Sequence, residues 1–373
     1  MAGGDCLRCG NPGEPVIASG MPWRAVCRLG ALIAVVATTP LLSDCLTTIG
    51  VASADRTEVH RSEYVRVQDA KLYVLVRGAD SAAPVLLWLH GGPGGAERPL
   101  FRYFNSELEN RFVVAYWDQR GAGRSFDPAA DPNRLTIAQH VADLDRIVDH
   151  LRASLSTDKI ILVGHSWGAA LGLLYAAAHP GKVFGLVAVN PLVSRKEAEQ
   201  SEYHFVINEA ARRKDQRTLT EARRIGSPPF ATSRTALAFE KLVQRYGGIY
   251  HNEPHRLWLM IRAVVAGMVT PWEIRSIIQG NDVSLAAMND ELLRLDLRSA
   301  VPALNVPVAF FLGRYDRHLD ATISASYFDR LRAPVKRLVW FDHSAHNVPF
   351  EEPTLFNTTL IEELRSLTGL KRR

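Results

Sequence analysis

The chain has 373 residues, of which 47% are hydrophobic and 22% charged, and its formal net charge is +5. This length and composition predict a globular protein with a large buried core and exclude an extended disordered chain. The positive charge is small for the length, and no basic stripe with interleaved aromatic residues occurs, so we do not expect nucleic-acid binding.

The first 54 residues have the order of a secretory signal. Arg24 and Arg28 precede an apolar run at residues 29–36, and an Ala-x-Ala sequence ends at Ala54. The run is short for a membrane-spanning helix. We therefore predict a signal peptide at residues 1–54 and an exported protein, either secreted or in the periplasm or cell envelope. The alternative is an N-terminal membrane anchor that is not cleaved.

The cysteines all precede the predicted cleavage point. They are Cys6, Cys9, Cys27 and Cys45. The mature chain would then contain no cysteine, and its stability would depend on the core and not on disulfides. The Cys-x-x-Cys sequence at residues 6–9 has no second pair and no nearby histidine, so we predict no metal site there.

From residue 62 onward, short apolar runs alternate with helical stretches. Residues 64–67 and 72–76 predict a hairpin, and further strands are predicted at residues 84–89, 112–117, 159–163, 183–189, 306–312 and 337–341. Helices are predicted at residues 136–151, 169–178 and 352–367. This alternation is typical of an α/β fold with a mostly parallel central sheet and helices on both faces.

Residues 193–292, here called the cap segment, interrupt the alternation. They are rich in Glu, Arg, Ala and Leu, lack a strand pattern, and contain a Gly-Ser-Pro-Pro break at residues 226–229. We predict a helical cap over the carboxyl edge of the sheet, where parallel sheets bind ligands. The core would then consist of residues 55–192 and 293–373.

A Gly-x-Ser-x-Gly sequence at residues 164–168 directly follows an apolar run and precedes a small-residue helix. In this strand–turn–helix setting the pattern indicates a nucleophile elbow, which places Ser166 on a tight turn as the nucleophile.

A serine hydroxyl needs a base, and the base needs an orienting carboxylate. On elbow folds the acid and then the histidine follow the serine along the chain. Asp316 follows a late strand, and we prefer it to Asp320 because it lies nearer the strand end. His346 follows the last strand, and we prefer it to His343, which is too close to the strand end to reach the elbow.

The oxyanion formed on the substrate needs backbone N–H donors that are already in place. We predict the amides of Trp167, next to the nucleophile, and of Gly92, in the glycine-rich loop at residues 90–95. This loop has neither P-loop nor GxGxxG spacing, so nucleotide binding is not expected. The predicted chemistry needs no metal and no cofactor.

Five segments together resemble the proline iminopeptidase family of α/β-hydrolases. They are HGGPG at residues 90–94, DQRGAGRS at 118–125, GHSWG at 164–168, GRYD at 313–316, and SAH at 344–346 with Glu351 and Pro353 downstream. The resemblance covers residues 62–192 and 293–368. It implies the α/β-hydrolase fold and hydrolysis by Ser166, whereas related epoxide hydrolases and dehalogenases have an aspartate at the elbow.

The resemblance also implies cleavage of an N-terminal residue, often proline, from a peptide whose free amine is held by cap acids. The glutamates of the cap segment match no motif, and we expect most of them on solvated helix faces: Glu199, Glu202, Glu209, Glu221 and Glu240. Four aromatic residues there are candidates for a pocket wall, although core packing is favoured: Tyr203, Phe205, Trp258 and Trp272.

We therefore predict a serine hydrolase, an aminopeptidase of the proline iminopeptidase type, that acts on a small-molecule or short-peptide substrate. One alternative is a carboxylesterase or lactonase on the same fold. An alternative of another class is a non-catalytic receptor for a small ligand. The sequence predicts contact with a membrane only through the N-terminal segment, and it predicts no particular oligomeric state.

Overall fold

A computed structural model of the chain describes residues 57–251 and 256–369. The predicted signal peptide or anchor and the four cysteines lie outside the described residues. Among the residues described, no helix has both the length and the apolar character needed to span a bilayer.

Eight strands form one sheet in the order β1-β2-β4-β3-β5-β6-β7-β8. They are β1 Val59–Val67, β2 Ala70–Gly78, β3 Val85–Leu89, β4 Val113–Trp117, β5 Ile160–His165, β6 Val183–Val189, β7 Val308–Gly313 and β8 Lys336–Phe341. The two pairings of β2 are antiparallel, and all other pairings are parallel. Every residue of β3, β4, β5 and β7 is buried, as expected for a sheet covered on both faces. The predicted α/β fold is therefore confirmed.

Twelve helices are described. Those outside the cap segment are α1 Arg98–Asn105, α2 Ile137–Ser154, α3 Trp167–Ala178, α9 Leu297–Ala300, α10 Ala321–Arg330, α11 Val348–Glu351 and α12 Pro353–Thr368. Helices that begin or lie within the cap segment are α4 Arg195–Arg212, α5 Gln216–Ile225, α6 Ser233–Arg245, α7 Arg256–Val265 and α8 Pro271–Arg294. Short 3₁₀ turns occupy Ser106–Asn110, Gly123–Ser125, Pro132–Arg134 and Pro180–Lys182.

Alternate residues of the central strands serve two separate cores. In β3, Leu87 and Leu89 belong to one cluster with side chains of α2, α3 and α10. Leu86 and Trp88 belong to the other, with Phe101 of α1 and side chains of α12. This alternation follows from the two-residue period of a strand. It leaves the carboxyl ends of the parallel strands, and the loops that follow them, as the common site for functional groups.

The described part of the cap segment is helical, and α5 ends at Ile225, just before the predicted break. The boundary between core and cap stays a prediction. Helix α8 contacts the loop after β4, where Ser284 Oγ donates a hydrogen bond to Gly121 O at 3.2 Å. Arg98 and Arg124 both form ion pairs with Glu273 in the first turn of α8.

Two expectations about the cap segment need correction. Glu199 and Glu202 are not on solvated faces but only 4% and 3% exposed, because each has polar partners inside the segment or at the core. Trp272 neither packs in the core nor lines a cavity, since it is 86% exposed. Tyr203 packs as expected, stacked on Phe239 with ring centroids 5.5 Å apart, whereas the side chain of Trp258 lies outside the described residues.

Candidate active site

Ser166 lies on the tight turn between β5 and α3. Its backbone has φ 56° and ψ −118°, a conformation that costs energy for any residue with a side chain. The flanking glycines are required sterically, because a Cβ on Gly164 would lie 2.4 Å from Gly168 O, and one on Gly168 would lie 2.0 Å from Leu89 O. The turn thus has the geometry of a nucleophile elbow.

His346 and Asp316 meet at the carboxyl edge of the sheet, in the loops after β8 and β7. His346 Nδ1 lies 2.9 Å from Asp316 Oδ2, and the two residues are 5% and 1% exposed. Asp316 Oδ1 accepts the backbone N–H groups of His318 and Leu319 at 2.9 and 3.1 Å. The carboxylate is therefore fixed, and it orients the imidazole so that Nε2 is the free ring nitrogen.

Burial lowers the pKa of His346 to about 4, although Asp316 opposes the shift. The imidazole is consequently neutral at pH 7 and can accept a proton. Burial alone would raise the pKa of Asp316, but its interactions with His346 and His318 and the backbone hydrogen bond from Leu319 outweigh burial and lower it. Asp316 therefore remains a carboxylate.

The structure brings Asp316, and not Asp320, to the histidine. Asp320 caps α10 through a 2.9 Å hydrogen bond from Thr322 N and accepts a hydrogen bond from Ser201. The other histidine of the last loop, His343, donates its backbone N–H to Glu352 Oε2 at 3.2 Å and is not among the residues that line the cavity.

Ser166 and His346 line the same cavity, whose volume is about 560 Å³. The helices of the cap segment supply the opposite wall, from α6 and α8: Leu237, Glu240, Lys241, Gln244, Asn281, Asp282 and Leu285. Among the described residues, no hydrogen bond joins Ser166 Oγ to His346 Nε2. Such bonds are often long in unliganded enzymes and tighten when substrate binds.

The predicted oxyanion donors lie beside the serine. Gly92 lines the cavity and has φ +118°, which only glycine adopts easily. A Cβ on neighbouring Gly91 would lie 3.2 Å from Ser166 Cβ, so this loop runs against the nucleophile. Trp167 is the first residue of α3, where backbone N–H groups lack a partner within the helix. Within the described chain, neither the Gly92 nor the Trp167 N–H donates a hydrogen bond.

Sequence reasoning missed His318, which lies against His346 with ring centroids 4.7 Å apart. His318 Nδ1 lies 2.6 Å from Glu202 Oε1 of α4. Burial lowers the pKa of His318, but Glu240 and Glu202 outweigh burial and raise it to about 9. Its position two residues after Asp316, in the same loop, is the signal that would have identified it.

Sequence reasoning also missed a charged pair beneath the glycine-rich loop. Glu97 Oε1 lies 2.8 Å from His165 Nδ1, and Glu97 Oε2 accepts the Gly91 N–H at 3.0 Å. Burial alone would raise the pKa of Glu97, but His165 outweighs it and lowers the value to about 2.

Within the described part of the chain, no three His, Cys, Asp or Glu side chains are grouped as a metal site would require.

Comparison with known proteins identifies the family to which this chain belongs. A family model described as the alpha/beta hydrolase fold matches residues 84–353, and the chain belongs to that family. The chain is also 30% identical over 300 residues to the probable aminopeptidase YbaC of Bacillus subtilis (strain 168), a match that covers 80% of this chain and 94% of that relative.

Similarity to proline iminopeptidases is more local. The chain is 35% identical over 116 residues to a probable proline iminopeptidase of Leptolyngbya boryana, which covers 31% of this chain and about a third (34%) of the relative. The crystal structure of the Mycobacterium smegmatis proline iminopeptidase matches with a TM-score of 0.62 at 18% identity, over 83% of this chain and 99% of that one. At that identity the structural match shows the fold alone. These findings confirm the predicted fold and the family resemblance.

Proposed function

We propose that this protein is a serine hydrolase that removes the N-terminal residue of short peptides through an acyl-enzyme. The observation that carries the proposal is the placement of Ser166, on its strained turn, in one cavity with a His346 imidazole that lies 2.9 Å from Asp316. A nucleophile, a neutral base and an orienting carboxylate are the three groups that serine hydrolysis requires.

In the proposed reaction, Ser166 Oγ attacks the substrate carbonyl while His346 Nε2 takes the hydroxyl proton. His346 then gives this proton to the leaving amine as the bond between carbonyl carbon and nitrogen breaks. Water attacks the resulting ester with His346 again as base, which releases the acid and restores Ser166. Asp316 stabilises the imidazolium that forms twice in the cycle. The N–H groups of Gly92 and Trp167 bind the oxyanion of each tetrahedral intermediate.

An amino-terminal substrate is favoured by the acidic groups beside the nucleophile. Glu240 lines the cavity, whereas the Glu202 carboxylate is paired with His318. The α-ammonium group of a peptide would be attracted by a carboxylate, and Glu240 and Asp282 of the cap segment both line the cavity. The aminopeptidase names of the relatives support the same substrate class.

A carboxylesterase or lactonase is the second candidate, because three leucines of the cavity wall would accommodate an apolar acyl chain: Leu100, Leu237 and Leu285. The deciding experiment compares proline 4-nitroanilide with short acyl 4-nitrophenyl esters. We expect the anilide to be cleaved. Ester turnover without anilide cleavage would replace the peptidase with the esterase. Ligand binding without turnover of either class would favour the non-catalytic receptor.

Ser166→Ala should abolish turnover of both substrate classes. Ser194→Ala is a matched control, because both serines are 7% exposed and Ser194 caps α4 through a 3.4 Å hydrogen bond from Glu197 N. Loss of this cap should cost about 1 kcal/mol of stability and leave turnover unchanged.

We also propose that the protein is exported, on the basis of the basic, apolar and small-residue order of residues 24–54. N-terminal sequencing of exported material tests this proposal. A first residue near Asp55 would support cleavage, whereas a first residue before Arg24, with the apolar run retained, would support an anchor.

A further inference from the structure

Glu97 and His165 form a buried pair directly beneath the nucleophile. His165 is the residue before Ser166 and is 1% exposed, and the Glu97 side chain is 13% exposed. The two ring nitrogens of His165 both face oxygen atoms: Nδ1 lies 2.8 Å from Glu97 Oε1, and Nε2 lies 2.9 Å from the backbone O of His346.

This arrangement determines the charge state of His165. A backbone carbonyl and a carboxylate accept hydrogen bonds and donate none, so each ring nitrogen must carry a hydrogen to bond with its partner. A histidine with two N–H groups is an imidazolium. The neighbouring carboxylate stabilises it, because Glu97 raises the pKa of His165 against the opposing effect of burial.

The pair joins two loops that hold different parts of the reaction site. On one side, Glu97 Oε2 accepts the N–H of Gly91, the residue before the predicted oxyanion donor Gly92. On the other side, His165 binds the carbonyl of His346, which also accepts a 2.7 Å hydrogen bond from Asn190 Nδ2. A continuous set of hydrogen bonds therefore runs from the glycine-rich loop, under Ser166, to the histidine loop.

We propose that Glu97 and His165 are a positioning pair. The pair fixes the glycine-rich loop, which contains Gly92, and the histidine loop, which contains His346, on either side of Ser166. The proposal rests on the proposed function only for its kinetic consequence. Both residues line the cavity, but among the described residues their hydrogen bonds go to the two loops and not to Ser166 Oγ or His346 Nε2. We therefore expect both to act through the groups they hold. Misplacement of catalytic groups by about 1 Å costs on the order of a hundredfold in rate.

Two substitutions of Glu97 distinguish the effect of the hydrogen bonds that hold the loops from the effect of the charge of the pair. In E97Q, the amide oxygen can accept from Gly91 N, and the amide nitrogen can donate to Nδ1 of a neutral His165 that keeps its Nε2–H on His346 O. All three hydrogen bonds survive without the charge. In E97A, Gly91 N and His165 Nδ1 lose their partner.

We expect E97A to lower kcat by about tenfold to a hundredfold with KM changed less than about threefold. E97Q should keep kcat within about threefold of the parent, because the loops keep their bonds. Glu109→Ala is the matched control, since the Glu109 side chain is also 13% exposed and ion-paired but is not part of the cavity wall. It should lower the melting temperature and leave kcat unchanged.

Two measurements test the pair without any activity. Nitrogen NMR of protein labelled with ¹⁵N-histidine should show two protonated ring nitrogens for His165 in the parent and one in E97Q. Hydrogen exchange of the segments at residues 90–97 and 344–348 should become at least about tenfold faster in E97A but not in E97Q.

The outcomes distinguish the pair from the proposed function. A neutral His165 in the parent would overturn the charged pair, and E97A with the kcat and exchange rates of the parent would overturn the positioning role. A parent that cleaves neither anilide nor ester would contradict the proposed function. In that case, the NMR and exchange results would still decide whether the pair exists and holds the two loops.

Discussion

The two walls of the cavity are built differently. The core wall carries Ser166, His346 and the Glu97–His165 pair on loops at the ends of buried parallel strands, where hydrogen bonds fix nearly every group. The wall from the cap segment presents polar and apolar side chains of two helices, such as Glu240 and Leu285. The difference supports a division of roles in the proposed reaction, in which the core wall supplies the reacting groups and the helices of the cap segment select the substrate.

The largest effect on activity is expected from a substitution in the core wall that keeps the shape of the side chain. Asp316→Asn should lower kcat by about a thousandfold to ten-thousandfold, because an amide cannot stabilise the imidazolium and favours the wrong tautomer. Steady-state kinetics with anilide and ester substrates measure the effect. Both substrates should lose the same factor, since the change acts on chemistry and not on recognition.

Asp320→Asn is the control for that substitution. Asp320 lies four residues further on and caps α10, and it makes no contact with His346 among the described residues. It should cost some stability and leave kcat within about twofold of the parent. A greater loss of activity with Asp320→Asn than with Asp316→Asn would reverse the assignment of the acid.

Substitutions in the cavity wall from the cap segment should change KM for one substrate class and not kcat for both. Glu240→Gln removes a carboxylate from the cavity without a change of size, and we expect it to raise KM for proline 4-nitroanilide about tenfold, because the ammonium group loses its partner. KM for neutral esters should stay unchanged. Lys241→Gln, a change of charge at the adjacent cavity residue, serves as the control. Equal effects of Glu240→Gln on both substrates would show that the glutamate does not recognise the amine.

The smallest expected effect is on the pH dependence of kcat/KM. His346 must be neutral to act as base, so activity falls as the pH drops through its pKa, which burial and the nearby His318 and His165 lower to about 4. We expect kcat/KM for a neutral ester to stay level from pH 8 to about pH 5 and to fall below it.

His318→Gln removes one of the cations that lower the pKa of His346, so the acid limb should move to higher pH. A pKa raised by about one would lower the neutral fraction at pH 5 by about twofold. The exposed His204 provides the control, since His204→Gln should leave the profile unchanged. A profile that stays in place with His318→Gln would show that His318 does not act on the base.

The sequence allowed a good prediction of the core because its signals are local. Each predicted strand became a strand, with ends shifted by a few residues, as for the predicted 84–89 and the observed Val85–Leu89. The glycines at 164 and 168 predicted the elbow because no other residue fits there. The structure brings Ser166, Asp316 and His346 to one edge of the sheet, in keeping with the loops chosen for them.

The cap wall and the support of the core wall were harder to predict. An amphipathic helix in the sequence does not say which partner covers its apolar face, so the burial of Glu199 and Glu202 was missed. The partners of Glu97 are distant along the chain, and only the fold brings His165 to it. His318 was within reach of sequence reasoning, because it shares the loop of Asp316.

The most direct test of the central claim is covalent labelling with a serine-reactive fluorophosphonate, followed by mass spectrometry of the labelled peptide. The claim is that His346 and Asp316 make the hydroxyl of Ser166 nucleophilic. It predicts one label per chain at Ser166, no label in Ser166→Ala, and labelling at least about a hundredfold slower in Asp316→Asn. A folded parent that resists the probe, or a label on another residue that persists in Ser166→Ala, would contradict it.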